Sequence, residues 1–423
     1  MKTNNKITKW QITPSKKNLK LNYQALLDQI EVLRGRKLLF PYIGSGRGQG
    51  VYVELLDGSI KMDLLTGVGV QILGHNHPEI KKASLTASYS NILMQGHLLL
   101  NQEYLQLCHK LVSLAKRHSR LAHVWLTTSG SMANENALKM ARQKNKPRRK
   151  ILAFDKAFAG RSTLMAEITA NPKTKEGLPS YNEVLRIPFY NPKKPEQSLQ
   201  VLKSHLEKKT HDICAFIFEI ILGEGGYKSA PREFFISLFE ECRSHKIALW
   251  ADEVQTFLRT GEIFAFEKWQ LGKYIDLCTV GKGLQLAATL FTPEYKPKPG
   301  LVSGTFSATT SALIAGLKVL EVFENYTGKK VVISIEEQMT QLFKDLKQKN
   351  LIKDYDVFGL MVAFSLKQPE NTQLFLQKLF QNGVIGLSCG DKNSARVRFL
   401  LPVVITENDI QTLKTVLINI LSE

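Results

Sequence analysis

The sequence predicts an α/β fold with a mostly parallel central sheet, and three features carry that prediction. From Val124 onward come short, unbroken apolar runs: VWLTT, ILAF, AFIFEI, IALWADEV and IDLCTV. Runs of this kind fit strands buried on both faces, as in parallel sheets covered by helices. Amphipathic segments alternate with them, among them ANENALKMARQ and PREFFISLFEECRSH, the latter with proline at its first turn. Polar residues then stand where the runs end: Ser129-Gly130-Ser131, Asp155, Glu219, Asp252 and Lys282. Ligands of open parallel sheets bind beyond the carboxyl ends of the strands. Hydroxyls, a glycine, acids and one lysine on that edge are the parts of a site for an anionic aromatic cofactor.

The flanking regions read differently. Gly44 to Gly50, GSGRGQG, reads as a turn before the strand VYVELL, because it does not join a strand to a helix as a phosphate loop must. Asp57-Gly58 reads as a hairpin turn into IKMDLL. From about Ser311 the pattern changes to helices followed by the strands VFGLMVAF and ARVRFLLP, which predicts a smaller α+β domain. The expected division is an N-terminal segment over 1–64, a large domain over 65–310 and a small C-terminal domain over 311–423.

Composition narrows the function. The 423 residues suffice for more than one core, since domains run to about 100–200 residues. There is no apolar run of about 18 residues, so no membrane span is expected. Met1 to Lys20 holds six lysines, no arginine, no acid and no apolar stretch, which fits neither a secretory signal nor a transit peptide. Cys108, Cys214, Cys242, Cys278 and Cys389 are scattered without C-x-x-C, so a disulfide framework and structural zinc are not expected and a reducing, cytoplasmic setting is. The net charge of +19 raises nucleic acid as a partner, but the excess is spread along the chain, with short concentrations such as KNKPRRK from Lys144 to Lys150. No nucleic-acid motif accompanies it, and a lysine-rich solvated surface is the reading adopted.

Three residue groups carry the chemistry. Ser129-Gly130-Ser131 ends a strand and opens a helix, whose N-terminal N–H groups and dipole favour a phosphate; alone, it is equally a serine N-cap. Asp252 ends IALWADEV, where a carboxylate could keep a pyridine nitrogen protonated or merely cap the next helix. A Walker B reading of the same strand requires a G-x-x-x-x-G-K-[ST] loop, which is missing. Lys282 follows IDLCTV; forming an imine requires a partly neutral amine, which burial promotes. Alone it would read as a surface lysine, and its place beside Asp252 reverses that.

Order and wording resemble the class-III pyridoxal-phosphate aminotransferases, the group with acetylornithine, ornithine, 4-aminobutyrate and lysine 6-aminotransferases. The likeness runs from about Gly50 to the C-terminus. GHNHP at Gly74 resembles a turn of that family, and its His-x-His reads as structural, so no metal is expected. TSGSMANENALKMAR resembles the T-G-S-E-A-N-E-A-A-K phosphate loop and helix, FAGRS the F-H-G-R-S/T element, and EIILGEGG the E-P-I-Q-G-E-G-G element. ADEVQTFLRTG, GTFSATTSA and VRFLLPVVIT resemble D-E-V-Q-T-G-x-G-R-T-G, S-T-F-G-G-N-P-L-A and the terminal I-R-x-x-P-P-L.

The resemblance implies a fold-type-I homodimer using pyridoxal 5'-phosphate, held as a Schiff base on Lys282, with Asp252 at the ring nitrogen. It implies phosphate contacts from Gly130, Ser131 and the partner subunit's Thr305, ring contacts from Phe158 and Val254, and a hydrogen bond from Gln255 to the ring hydroxyl. Arg398 and Arg161 would bind substrate carboxylates, near to and far from the cofactor, and Glu224 would neutralise Arg398 in one half-reaction. The wording comes nearest the lysine 6-aminotransferase branch, with GEGG, G-K-x-x-Q from Gly281 to Gln285, and VRF at Val397. The expected reaction is ping-pong transfer of an ω-amino group from a lysine- or ornithine-type donor to 2-oxoglutarate. An aminomutase, another reaction of the same cofactor, or a cofactor-binding protein without turnover is the alternative. Met132, Ala159, Ile220, Leu222 and Phe257 depart from the family's wording, as does LQLAAT after Lys282, and altered pocket walls are expected from them.

Overall fold

A computed structural model describes residues 10–91, 98–207, 212–307, 309–325, 328–391 and 394–423. The first lysines of the N-terminus and Ala308 of the GTFSATTSA element lie outside the described residues. After the helix Lys20–Arg34 comes an antiparallel run of β1 (Gly44–Gln49), β2 (Tyr52–Leu55) and β3 (Ile60–Asp63). GSGRGQG, expected as a turn, is mostly β1 itself. Glycine at every second position left no apolar alternation to read. The Asp57-Gly58 turn is where it was expected, with the Ser59 N–H donating to Asp57 Oδ1 at 2.9 Å.

The centre is a seven-stranded sheet made of β4 (His123–Thr127), β5 (Lys150–Phe154), β6 (Val184–Ile187), β7 (Ile213–Phe218), β8 (Ala248–Glu253), β9 (Leu277–Val280) and β10 (Ala287–Phe291). Its order is β4-β10-β9-β8-β7-β5-β6, parallel from β6 to β9, with β10 antiparallel to both neighbours. Every residue of β7 and β8 is buried, as their unbroken apolar runs require. On one face the helix Arg232–Ser244 brings Phe234 and Phe239 against Phe154, Phe216 and Phe218, with Phe218 and Phe239 rings 4.6 Å apart. Burying each such ring contributes about 1.5–3 kcal/mol. The helix Gly130–Lys144 packs near β9 and β10, so its N-terminus meets the strand ends.

Beyond the helices Thr310–Asn325 and Gly328–Gln348 come β11 (Asp354–Phe358), β12 (Met361–Ser365), β13 (Val384–Ile385), β14 (Leu387–Cys389) and β15 (Arg396–Leu400). VFGLMVAF, read as one strand, is the end of β11 and most of β12, turning at Gly359 with φ 61°. A Cβ at Gly359 would collide with the Arg259 carbonyl, so only glycine fits the turn. β11, β12, β15 and β14 form one antiparallel sheet, while β13 pairs in parallel with β3. The N-terminal strands therefore share a sheet with the C-terminal part of the chain. His75 and His77 both serve this frame: His75 Nε2 lies 2.8 Å from Asp63 Oδ2, and His77 Nδ1 accepts from the Glu79 N–H that begins the helix Pro78–Ser88. Among the described residues no helix is long and apolar enough to cross a membrane, and no group of three or more potential ligands is arranged for a metal.

Candidate active site

The strand ends bring the expected residues together. β8 finishes in Asp252 and Glu253, and β9, which sets Thr279 opposite Asp252, leads through Gly281 into Lys282. Lys282 takes φ 47° and Gln285 φ 70°, left-handed values that side-chain-bearing residues seldom adopt. Such strain persists where the surroundings over-determine it. Here the Gln285 side chain fastens the turn by donating to Val70 O at 3.0 Å. Burial pushes the Lys282 amine down to about 7, with the charges of Arg398 and Arg259 adding to the shift and those of Glu224 and Asp252 opposing it. A nucleophilic amine is therefore present in quantity near neutrality.

Asp252 is buried and held at both oxygens. Oδ1 accepts from the Val254 N–H at 3.0 Å and Oδ2 from Asn134 Nδ2 at 2.7 Å. Asn134 also donates to the Ala159 carbonyl at 2.7 Å, which ties the helix Gly130–Lys144 to the FAGRS segment. Burial pushes the Asp252 carboxyl up to about 6, and its two hydrogen bonds and the Lys282 charge restrain that rise. A cationic ring nitrogen is the kind of partner that would return it to the ionised form.

The phosphate end has room for both readings of its serines. Ser129 Oγ accepts from the Met132 N–H at 3.3 Å and caps the helix, which leaves the N–H groups of Gly130 and Ser131 for an anion. A Cβ on Gly130 would lie 2.5 Å from Val254 Cγ1, so glycine is needed where Val254 packs against the helix start. Ser131 Oγ accepts from the Arg161 N–H at 3.3 Å. Gln255 is buried with its Oε1 lacking a hydrogen-bond partner among the described residues, close against Gly223.

The outer end is a cavity of about 540 Å³ lined by Phe158, Arg161, Thr169, Asn171, Lys173 and Glu224, among others. The Arg161 guanidinium stands 6.0 Å from the centre of the Phe158 ring. Glu219, at the end of β7, accepts from the N–H groups of Phe158 at 3.0 Å and Gly223 at 2.9 Å. Burial, with the charge of Asp252 adding, raises its carboxyl. Arg398 projects from β15, Nη2 donating to Glu224 Oε1 at 2.6 Å and Nη1 to Gly223 O at 3.1 Å. The Arg398 side chain is 1% exposed and that of Glu224 40%.

Lys282, Asp252, Gly130, Ser131, Val254 and Gln255 thus gather at the strand ends, and Phe158, Arg161 and Glu224 line the cavity, with Arg398 paired to Glu224 and its charge reaching Lys282. Thr305 is exposed and lines no part of the cavity. Sequence reasoning passed over Asn134, one turn beyond Ser131, although it stands in the TSGSMANENA wording. It placed Glu219 at the sheet edge without a role. The altered pocket walls expected from the substitutions are not found at three of the positions: Ile220, Leu222 and Phe257 belong to the buried core and none lines the cavity. Ala159 is buried too, its carbonyl serving Asn134, and Met132 lies at the surface.

A family profile described as aminotransferase class-III matches residues 37–421. The chain belongs to the class-III aminotransferases. Enzymes of this family depend on pyridoxal phosphate. Among the described residues those present fit that group: a helix start with free N–H groups, a buried carboxylate bonded only to amides, an unpartnered Gln255 oxygen and a buried lysine of lowered basicity. Gly130 and Ser131 would hold its phosphate, Asp252 its ring nitrogen and Gln255 its ring hydroxyl.

Among similar proteins, the acetylornithine aminotransferase of Aquifex aeolicus is 30% identical over 388 residues, covering 89% of this chain and 96% of its own. That of Methanocaldococcus jannaschii is 27% identical over 390 residues, covering 89% and 92%. The solved lysine aminotransferase of M. tuberculosis superposes with a TM-score of 0.83 at 23% identity, over 94% of this chain and 99% of that one. The ornithine aminotransferase of Toxoplasma gondii gives 0.81 at 22%, over 96% and 98%. At these identities the structural likeness is one of fold, that of the fold-type-I pyridoxal-phosphate enzymes.

Proposed function

We propose that the enzyme transfers the ω-amino group of a lysine- or ornithine-type diamino acid to 2-oxoglutarate, in two half-reactions at one site. The observation that carries this reading is the Arg398–Glu224 pair, a buried guanidinium held at 2.6 Å by a carboxylate that is itself 40% exposed. An ω-amine donor brings no carboxylate to Arg398, so Glu224 stays and neutralises it. Its distant α-carboxylate is met by Arg161 across the cavity. A 2-oxo acid does bring a carboxylate there, and Glu224, having solvent on one side, can turn away. Leaving the arginine unpaired would be costly, so one anion replaces the other.

The bound cofactor supplies an electron sink for the carbon that loses its proton. Lys282 Nζ would hold the cofactor and, as a free neutral amine, would carry that proton. Phe158 and Val254 would flank the cofactor ring. The reading includes a homodimer in which the partner subunit's Thr305 completes the phosphate site. Exposed Leu98, Leu99, Leu100 and Phe306 support it, since the Asn101–Thr310 hydrogen bond of 3.1 Å joins the segments that bear them. The substitutions that motivated a protein without turnover lie largely in the core and do not support that alternative.

The test is a single-turnover screen that follows bleaching of the bound cofactor's visible absorbance. Lysine, ornithine, N-acetylornithine and 4-aminobutyrate are compared with simple α-amines. At least one ω-amine is expected to react faster than every α-amine. Reaction with α-amines alone would overturn the proposal.

A further inference from the structure

Glu224 is not the only side chain against the Arg398 guanidinium. The loop that bears it continues through Gly225 and Gly226 into Tyr227, and the guanidinium carbon lies 5.8 Å from the centre of the Tyr227 ring. The placement of this tyrosine is unusual in two respects. It takes φ 52°, a left-handed conformation rare for a bulky aromatic residue. It is also fully buried, with no hydrogen-bond partner for its hydroxyl among the described residues.

A second buried guanidinium lies within electrostatic reach. Arg259 donates to the carbonyls of Gln255, Phe257 and Gly69, and pairs with no carboxylate among the described residues. Burial raises the Tyr227 phenol, and the charges of Arg398 and Arg259 draw it back. Glu224 is the carboxylate paired with Arg398, and it is the group that the 2-oxo-acid half-reaction requires to leave. Tyr227 does not leave with it. Its N–H donates to Leu222 O at 2.9 Å, and Leu222 N–H donates to Lys228 O at 2.9 Å. Arg396 Nη1 donates to Gly226 O at 2.6 Å and also pairs with Asp356, which holds Lys228 at 2.6 Å. The backbone on both sides of Tyr227 is clamped independently of the Glu224 side chain.

We propose that Tyr227 is a positioning residue for Arg398, its ring face holding the guanidinium in the carboxylate-reading place while Glu224 is turned away. The inference rests on the two-half-reaction reading. A desolvated aromatic face attracts a cation through its quadrupole. The hydroxyl bonds to nothing among the described residues, so the ring is the part that engages Arg398.

The experiment measures both half-reactions of the holoenzyme, and titrates it with maleate as an unreactive dicarboxylate. Tyr227→Phe keeps the ring and should behave as wild type in both halves, within about twofold. Tyr227→Leu should weaken 2-oxoglutarate and maleate binding about tenfold while leaving the donor half within about twofold. Should the leucine variant fail to fold, pentafluorophenylalanine at position 227 keeps the shape and removes the negative ring face, and should weaken maleate likewise. Arg398→Lys is the control: if it leaves maleate binding unchanged, the carboxylate reading itself fails. If Arg398→Lys weakens maleate but the leucine or fluorinated variant does not, or impairs both halves equally, the role of Tyr227 is overturned alone.

Discussion

Asp252 and Glu224 are both carboxylates at functional ends of one site, and they are tethered in opposite ways. Asp252 is buried, with neutral amide donors on both oxygens, from Val254 at 3.0 Å and Asn134 at 2.7 Å. Among the described residues Glu224 has one side-chain bond, to Arg398 at 2.6 Å, and 40% of its side chain is exposed. On the proposed reading the cofactor end holds a single arrangement, since a ring nitrogen would need the same partner in both half-reactions, and the substrate end exchanges one anion for another. Rigidity and freedom follow from the number of donors each acid receives and from its access to water.

The largest effect is expected at the fixed acid. Asp252→Asn should retain the cofactor and slow both half-reactions by about two decades or more, which is about 2.7 kcal/mol or more of barrier. Rates within a few-fold of wild type would remove Asp252 from the chemistry. Asn134→Ala should come next, at about tenfold in both halves, because it removes one hydrogen bond from a buried carboxylate, a change of about 1.5–3 kcal/mol at most. It should also shift the visible absorbance of the bound cofactor, and an unchanged spectrum would make Asn134 a packing residue only.

A smaller, graded effect is expected from Lys282. Its amine is held down to about 7, so protonation as pH falls through that value removes the nucleophile. The rate at which apoprotein captures pyridoxal phosphate should therefore rise between about pH 6 and 8 and level off above. An ordinary lysine would instead keep gaining rate toward about pH 10.4, and that profile would show that burial does not set this group.

What could be read in the sequence follows the same physical division. β7, β8 and β9 were legible because every position in them is buried, which leaves unbroken apolar runs. β6 was not, since VLRI at the sheet edge carries Arg186 and is mostly half-buried. β10 was hidden in the LQLAAT stretch, which read as a departure after Lys282 rather than as the antiparallel strand it begins. Lys282, Asp252 and the Ser129–Ser131 loop could be placed on one edge because strand ends announce themselves. Asn134, Glu219 and Tyr227 act through bonds or ring contacts to residues 25 to 171 positions away in the chain, and only the folded structure brings those partners together. Ile220 and Leu222 stand next to Glu219 and Gly223 in sequence, yet their side chains enter the core, so their neighbourhood misled.

The contrast between the fixed and the movable acid is tested most directly by Glu224→Ala, measured one half-reaction at a time. The ω-amine half is expected to slow about tenfold or more, because Arg398 is left as an unpaired buried charge when the donor brings no carboxylate to it. The 2-oxoglutarate half should hold its rate or improve, since the competing anion is gone. Equal losses in both halves would contradict the account, because Glu224 would then be a fixed part of the site like Asp252.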